Sequence, residues 1–204
     1  MKILYYNPTS ESKRYLPHQA LRGSTFFRRP NYDAMRLGAV CRDHQFTYYD
    51  ERIEEKPDIV PDVVIINVPL YLSSYIKDTA RKHWGRKTLF IWYGFYPTLF
   101  PGACRTYADA VVSGDVVNIW PQLSYDLENN TLASTYRSTT PYLFTVDRRF
   151  EKRTGLTPVL SQLRTSFGCT CNTTNKDFCH ENILYPVLVH DDMAHVLHDV
   201  DQQG

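Results

Sequence analysis

Three of the five cysteines, Cys169, Cys171 and Cys179, fall within eleven residues, and His180 follows the last of them. Their surroundings are polar and turn-forming, with Asn172 and Asn175 between the thiols and no apolar period that would carry them into a core. Thiolates at that density are ligands for a metal or a cluster. With His180 the same three make a mixed thiolate and imidazole set of the kind zinc accepts, although the spacing matches no standard finger. A segment that has lost its cluster and a structural disulfide are the other readings, and nothing else in the sequence points to the oxidising compartment a disulfide prefers. Acid–base chemistry has weaker candidates: the histidines, including His190, His195 and His198, sit at helical or loop positions where surface placement is the ordinary outcome.

The elements that must position such a site are bounded by length and composition. A chain of 204 residues holds one core of ordinary size plus an appendage. Its 23 basic and 22 acidic residues nearly balance, which predicts no nucleic-acid partner and no attraction to an acidic membrane. Cys41 and Cys104 stand apart from the cluster and read as reduced thiols. No apolar run approaches membrane-spanning length and a strand begins directly after Met1, so the expectation is a soluble, cytoplasmic protein. Tyrosine is abundant, 15 copies against 9 glycines, which suits tyrosine-lined pockets or simply an unusual background composition.

Residues 2–8 form a strand-like run closed by the turn signal Asn7-Pro8. The stretch up to residue 30 is polar and carries Lys13, Arg14, Arg22, Arg28 and Arg29, either as a basic loop over a ligand's phosphate or as a solvated surface loop. Residues 33–44 show helical spacing through Ala34, Leu37, Gly38, Val40 and Cys41, with Asn31 or Asp33 available as the cap. A second strand follows at 46–50. The β-branched run at 63–68 has the composition of a parallel strand covered on both faces, and is expected to be central.

Ser73 or Ser74 can cap a helix in which Tyr75, Ile76, Thr79, Ala80 and His83 share a face, ended near Gly85. Strands at 88–92 and 108–112 come next. A helix at 116–126 turns Val117, Trp120, Leu123 and Leu127 inward, provided that Pro121 falls in its first turn. This alternation predicts an α/β fold, a doubly wound, mainly parallel, five-stranded Rossmann-like (flavodoxin-like) sheet over residues 1–128, whose ligands bind beyond the C-terminal strand ends. Residues 129–162 read as a connector with short extended pieces at 132–137 and 142–147. Residues 163–204 form a short appendage with the cysteines, a strand at 185–187 and a helix at 191–200 that turns Met193, Val196, Leu197 and Val200 inward.

Several words of the sequence resemble one family. Thr165-Ser166-Phe167-Gly168-Cys169 and Asp177-Phe178-Cys179 are similar to the Ser-x-Gly-Cys turn and Cys-x-Phe-Cys ending that open the barrel of radical S-adenosylmethionine enzymes. Upstream, Asn7-Pro8, the run Pro61-Asp62-Val63-Val64-Ile65, Gly94 with Pro97-Thr98, and Ala108-Asp109-Ala110-Val111-Val112-x-Gly114-Asp115 resemble, in order, the N-terminal half of the cobalamin-dependent members. The resemblance runs over nearly the whole chain. It departs from the family where Tyr93 replaces the first glycine of a Gly-Gly-x-x-Pro-Thr turn. It departs again where the gaps between thiols are one and seven residues, with Lys176 at the place of the middle cysteine.

The resemblance implies cobalamin lying flat over the C-terminal strand ends, its nucleotide tail entering near Gly94 and Gly114. The contacting residues would be Asn7, Pro8, Thr9, Pro69, Leu70, Tyr71, Tyr93, Gly94, Phe95, Gly114 and Asp115, without a histidine on cobalt. It implies as well a 4Fe–4S cluster on Cys169, Cys171 and Cys179 of the kind that cleaves S-adenosylmethionine, at the entry of a barrel of which one unit follows the cysteines here, so the chain is not expected to carry out that cleavage on its own and a protein partner could complete the barrel. Read from the residues alone, the two glycines are equally tight strand-to-loop turns. Three functions follow as expectations: a cobalamin-binding module, incomplete as an enzyme by itself; a fragment that still assembles the cluster; or a cofactor-free flavodoxin-like interaction domain.

Overall fold

The computed structural model describes residues 1–9, 31–51, 54–85, 87–138, 140, 146–150, 165–167 and 188–201. The basic stretch 10–30, Cys169, Cys171, Cys179, His180, Lys176 and the strand expected at 185–187 lie outside the described residues.

Strands β1 (Lys2–Asn7), β2 (Gln45–Asp50), β3 (Val63–Asn67), β4 (Leu89–Tyr93), β5 (Ala110–Ser113) and β6 (Thr135–Arg137) form one sheet in the order β2-β1-β3-β4-β5-β6. Every neighbouring pair is parallel. The connections carry α1 (Tyr32–Val40), α2 (Ser73–Trp84), the short α3 (Phe95–Leu99) and α4 (Pro101–Cys104), and α5 (Val116–Glu128). The chain leaves β1 toward β2, then returns past β1 to β3 and winds on to the other edge. This is the doubly wound, Rossmann-like α/β fold expected from the alternation of elements, with β3 paired on both sides.

One expectation is corrected: the sheet has six strands, not five, the last coming from the stretch 132–137 that reads as connector. In β6 only Tyr136 is buried, between exposed Thr135 and Arg137, so three residues offer no apolar run to recognise.

The two-residue period of a strand sorts the core into two layers. Ile3, Tyr5, Tyr48, Val63, Ile65, Ile91, Tyr93, Ala110, Val112 and Tyr136 face α1 and α5. Leu4, Tyr6, Tyr49, Val64, Ile66, Phe90, Trp92 and Val111 face α2 and the α3–α4 corner. α1 starts where Asn31 accepts the backbone N–H of Asp33 at 2.9 Å, as a capping asparagine should.

Two local details depart from the sequence reading. The residue preceding α2 is Leu72, without a side-chain cap, and the hydroxyl of Ser73, now the first helical residue, donates to the Leu70 carbonyl at 2.9 Å. Pro121 lies inside α5 rather than in its first turn. The helix survives the lost hydrogen bond because Val116, Val117, Trp120, Leu123 and Leu127 are buried along one stripe, and packing outweighs propensity there.

Near the C-terminus, β7 (Ser166–Phe167) pairs antiparallel with β8 (Val189–His190), and α6 (Met193–Asp201) follows. The apolar stripe expected to face inward does not: Met193, Leu197 and Val200 are exposed, and Val196 is half-buried. No described residues supply a surface that covers it. Among the described residues no helix is long and apolar enough to cross a membrane.

Candidate functional site

The strand order reverses between β1 and β3, and at that point the C-terminal rim of a doubly wound sheet opens into a crevice. Here the crevice is a cavity of about 270 Å³ lined by Asn7, Pro8, Asn31, Asn67, Pro69, Tyr71 and Leu72. Four of these, Asn7, Pro8, Pro69 and Tyr71, are among the expected contact residues. Beside it Leu70 and Tyr71 stand 50 and 75 % exposed, while Thr9 is buried and its N–H donates to Glu51 at 3.0 Å.

Directly beneath the rim, on the α1–α5 side, lies a buried polar network. Asn67 donates from Nδ2 to Asp33 Oδ2 at 3.3 Å, and Tyr93 donates from its hydroxyl to the same oxygen at 3.1 Å. The Tyr93 and Tyr5 hydroxyls share a hydrogen bond of 2.6 Å. Arg36, 1 % exposed, bridges the two ends of the network: Nη1 reaches Asp33 Oδ1 at 3.3 Å and Asp115 Oδ1 at 3.2 Å, and Nη2 reaches Asp115 Oδ2 at 2.7 Å. Asp115 also caps α5 by accepting the Val117 N–H. The network therefore ties the start of α5 to the middle of α1 and to the ends of β3 and β4. Tyr93, expected beside a ligand, is 2 % exposed and points into this layer, and Asp115 is fully engaged there.

On the opposite side of the sheet Glu51 gathers three donors: the Tyr6 hydroxyl at 2.7 Å, the Tyr75 hydroxyl at 2.8 Å and the Thr9 N–H. Burial, and then the Glu51 carboxylate, push the Tyr6 hydroxyl far above the ordinary phenol range. Glu51 thus fixes the path of the chain as it leaves β1. Cys41 and Cys104 are buried free thiols; burial raises both, Cys104 to about 11 against the opposing Lys77 charge, so both stay protonated at neutral pH.

Gly94 and Gly114 end β4 and β5 at φ of +101° and +91°, a region that disfavours any side chain. A Cβ at Gly94 would collide with Asn67 Oδ1, and one at Gly114 with the Ser138 carbonyl after β6. The space beside each glycine is thus taken by the protein's own chain, and the strand-to-loop reading accounts for both without a ligand. Phe95, next to Gly94, is half-buried at the start of α3.

A second, larger cavity of about 520 Å³ opens at the C-terminal ends of β5 and β6, where Gly114 and Ser113 meet Arg105, Arg137 and the α3–α4 corner.

The sequence reading missed Asn31, Arg36, Glu51, Asn67, Arg105 and Arg137. Arg36 gave one signal, a cation in the middle of an apolar helical stretch. Among the described residues no group of three histidine, cysteine, aspartate or glutamate side chains is placed to hold a metal, and the clustered cysteines lie outside those residues. The chain matches no protein-family model and no curated protein.

Proposed function

We propose that this chain is a cofactor-binding module that carries a large, flat ligand on the C-terminal rim of its sheet, and that the ligand is cobalamin. The observation that supports it best is the crevice at the β1/β3 reversal, with Asn7, Pro8, Pro69 and Tyr71 in its wall where the family resemblance would put them. The rim suits a flat macrocycle. Leu70 and Tyr71 on the turn after β3 and Phe100 between α3 and α4 are exposed apolar groups, at 50, 75 and 48 %, that a corrin face would cover. Asn7, Asn31 and Asn67 supply amides for its polar edge. A tail entering at Gly94 or Gly114 does not fit, because Asn67 and Ser138 occupy those approaches; the ligand rests above the sheet rather than threading it. When bound, cobalamin would supply methyl-transfer or radical chemistry, and this chain would hold and orient it.

The test is to mix the purified chain with hydroxocobalamin, pass it through a desalting column and record the visible spectrum of the protein fraction. Near-stoichiometric retention, reduced about tenfold or more in Leu70→Ala/Tyr71→Ala, is the expected outcome, in line with loss of two buried apolar contacts. A protein fraction with no corrin absorbance would leave the second reading, a cofactor-free flavodoxin-like interaction domain. That reading draws support from the Tyr5–Tyr93–Asp33–Arg36–Asp115 network, which fills the interior below the rim with the protein's own hydrogen bonds.

A further inference from the structure

We infer that the cavity between β5, β6 and the α3–α4 corner is a binding site for a small phosphomonoester, separate from the crevice at β1/β3. The site follows from how the sheet ends. Val112 and Tyr136 are in register and both face the α1–α5 layer. By the period of two, Ser113 and its partner Arg137 face the other way, as do Val111 and Thr135. On that side α3 and α4 pack against β5, and β6 lies beyond them as the edge strand. The result is a ledge of polar edge-strand side chains beside a helical corner, enclosing about 520 Å³ between Thr98, Leu99, Pro101, Arg105, Ser113 and Arg137.

Its charge is one-sided. Two guanidinium groups, Arg105 and Arg137, line the cavity, and among the described residues no carboxylate does. Both are exposed, and neither makes an ion pair with a described residue. Two other polar groups of the wall are already committed, which makes the wall rigid. Thr98 Oγ1 donates to the Gly94 carbonyl at 2.7 Å and accepts the Gly114 N–H at 3.0 Å. Ser138 Oγ accepts from Asn118 at 2.8 Å and donates to the Thr140 carbonyl at 3.0 Å. The hydroxyls of Ser113 and Thr135 remain as donors beside the arginines.

Two forked cations with two hydroxyls match a tetrahedral dianion better than a single carboxylate, whose one charge leaves a cation uncompensated. The volume exceeds what a phosphate needs, and Leu99 and Pro101 offer an apolar wall to the body that carries it. The location obeys the rule that open α/β sheets bind ligands beyond their C-terminal strand ends.

Titration calorimetry at low ionic strength, with phenyl phosphate and benzoate as probes, tests this. Phenyl phosphate should bind saturably, and more tightly than benzoate. Arg105→Gln and Arg137→Gln should each weaken it about tenfold or more, the scale of one charge-assisted contact, whereas Arg149→Gln, another exposed arginine, should change nothing. All three side chains are exposed, so an unchanged melting temperature shows that the fold is intact. Equal affinity for benzoate, an equal effect of Arg149→Gln, or heats that never saturate would overturn the proposal. It does not rest on the cobalamin reading: corrin retention is measured separately, and either property can fail alone.

Discussion

Arg36 lies in the most buried stretch of α1 with its fork closed on Asp115 and one nitrogen on Asp33, whose side chains are only 2 and 14 % exposed. Without the guanidinium two carboxylates would face each other in a low-dielectric layer. Arg36→Ala is therefore expected to cost about 3–5 kcal/mol, because removing one partner of a buried pair leaves the other charge uncompensated. A urea midpoint within error of the parent would refute that role. Glu51 and Tyr6 give a second residue-scale prediction. The Tyr6 hydroxyl titrates above its unfolded value, first through burial and then through Glu51, so its contribution is complete below the unfolded phenol pKa of about 10 and is lost as pH rises beyond it. Chemical denaturation between neutral pH and strongly alkaline pH should show stability falling past that point, and Tyr6→Phe should flatten part of the fall. Neither network was legible in the sequence. Arg36 and Asp115 are 79 positions apart, Tyr6 and Glu51 are 45 apart, and no periodicity encodes a pairing of single polar groups across a fold.

At the scale of elements, hydrophobic period carried most of what could be read. The strands near residues 2, 46, 63, 88 and 108 and the three long helices of the sheet domain stand where apolar runs and helical spacing put them, within a residue or two at their ends except that α1 stops at Val40, four residues short of the expected end at 44. β6 was not legible, since a three-residue edge strand with one buried side chain carries no pattern, and its place is set instead by the chain that docks on it. That docking centres on Gly114, whose missing side chain admits the Ser138 carbonyl. Gly114→Ala must combine a positive φ with a backbone collision, and should destabilise by more than the roughly 1–2 kcal/mol of left-handed strain alone. Gly94→Ala faces the same strain but meets the tip of the Asn67 side chain, which can rotate away, so its loss should be the smaller of the two. Thermal melts of the two variants rank them directly; a Gly114→Ala protein as stable as Gly94→Ala would mean that β6 is not held by this contact.

For the molecule as a whole, the sheet separates a sealed layer from an open rim, and Tyr93 sits on the boundary. Family resemblance would place a glycine there, and a side chain in its stead would narrow the cleft for a cofactor tail or stack on a ring. The geometry gives the side chain a different task. Its ring packs edge-on to Tyr5 at 6.3 Å between centroids, and its hydroxyl closes the hydrogen bonds to Tyr5 and Asp33 that complete the layer under the rim. Tyr93→Gly would then open no useful passage. It would remove a buried aromatic, leave Tyr5 and Asp33 short of a partner and add a flexible backbone to the end of β4, for a loss of about 3–5 kcal/mol, the usual cost of truncating an aromatic in a core. Tyr93→Phe keeps the ring and loses only the hydroxyl, so about 1–3 kcal/mol is expected from the unsatisfied groups left behind. Urea denaturation of both variants, alongside their retention of hydroxocobalamin, separates the two roles. If Tyr93 is structural, both variants lose stability in that order and neither gains cobalamin. Raised retention in Tyr93→Gly with stability unchanged would show instead that the tyrosine stands in a ligand's path.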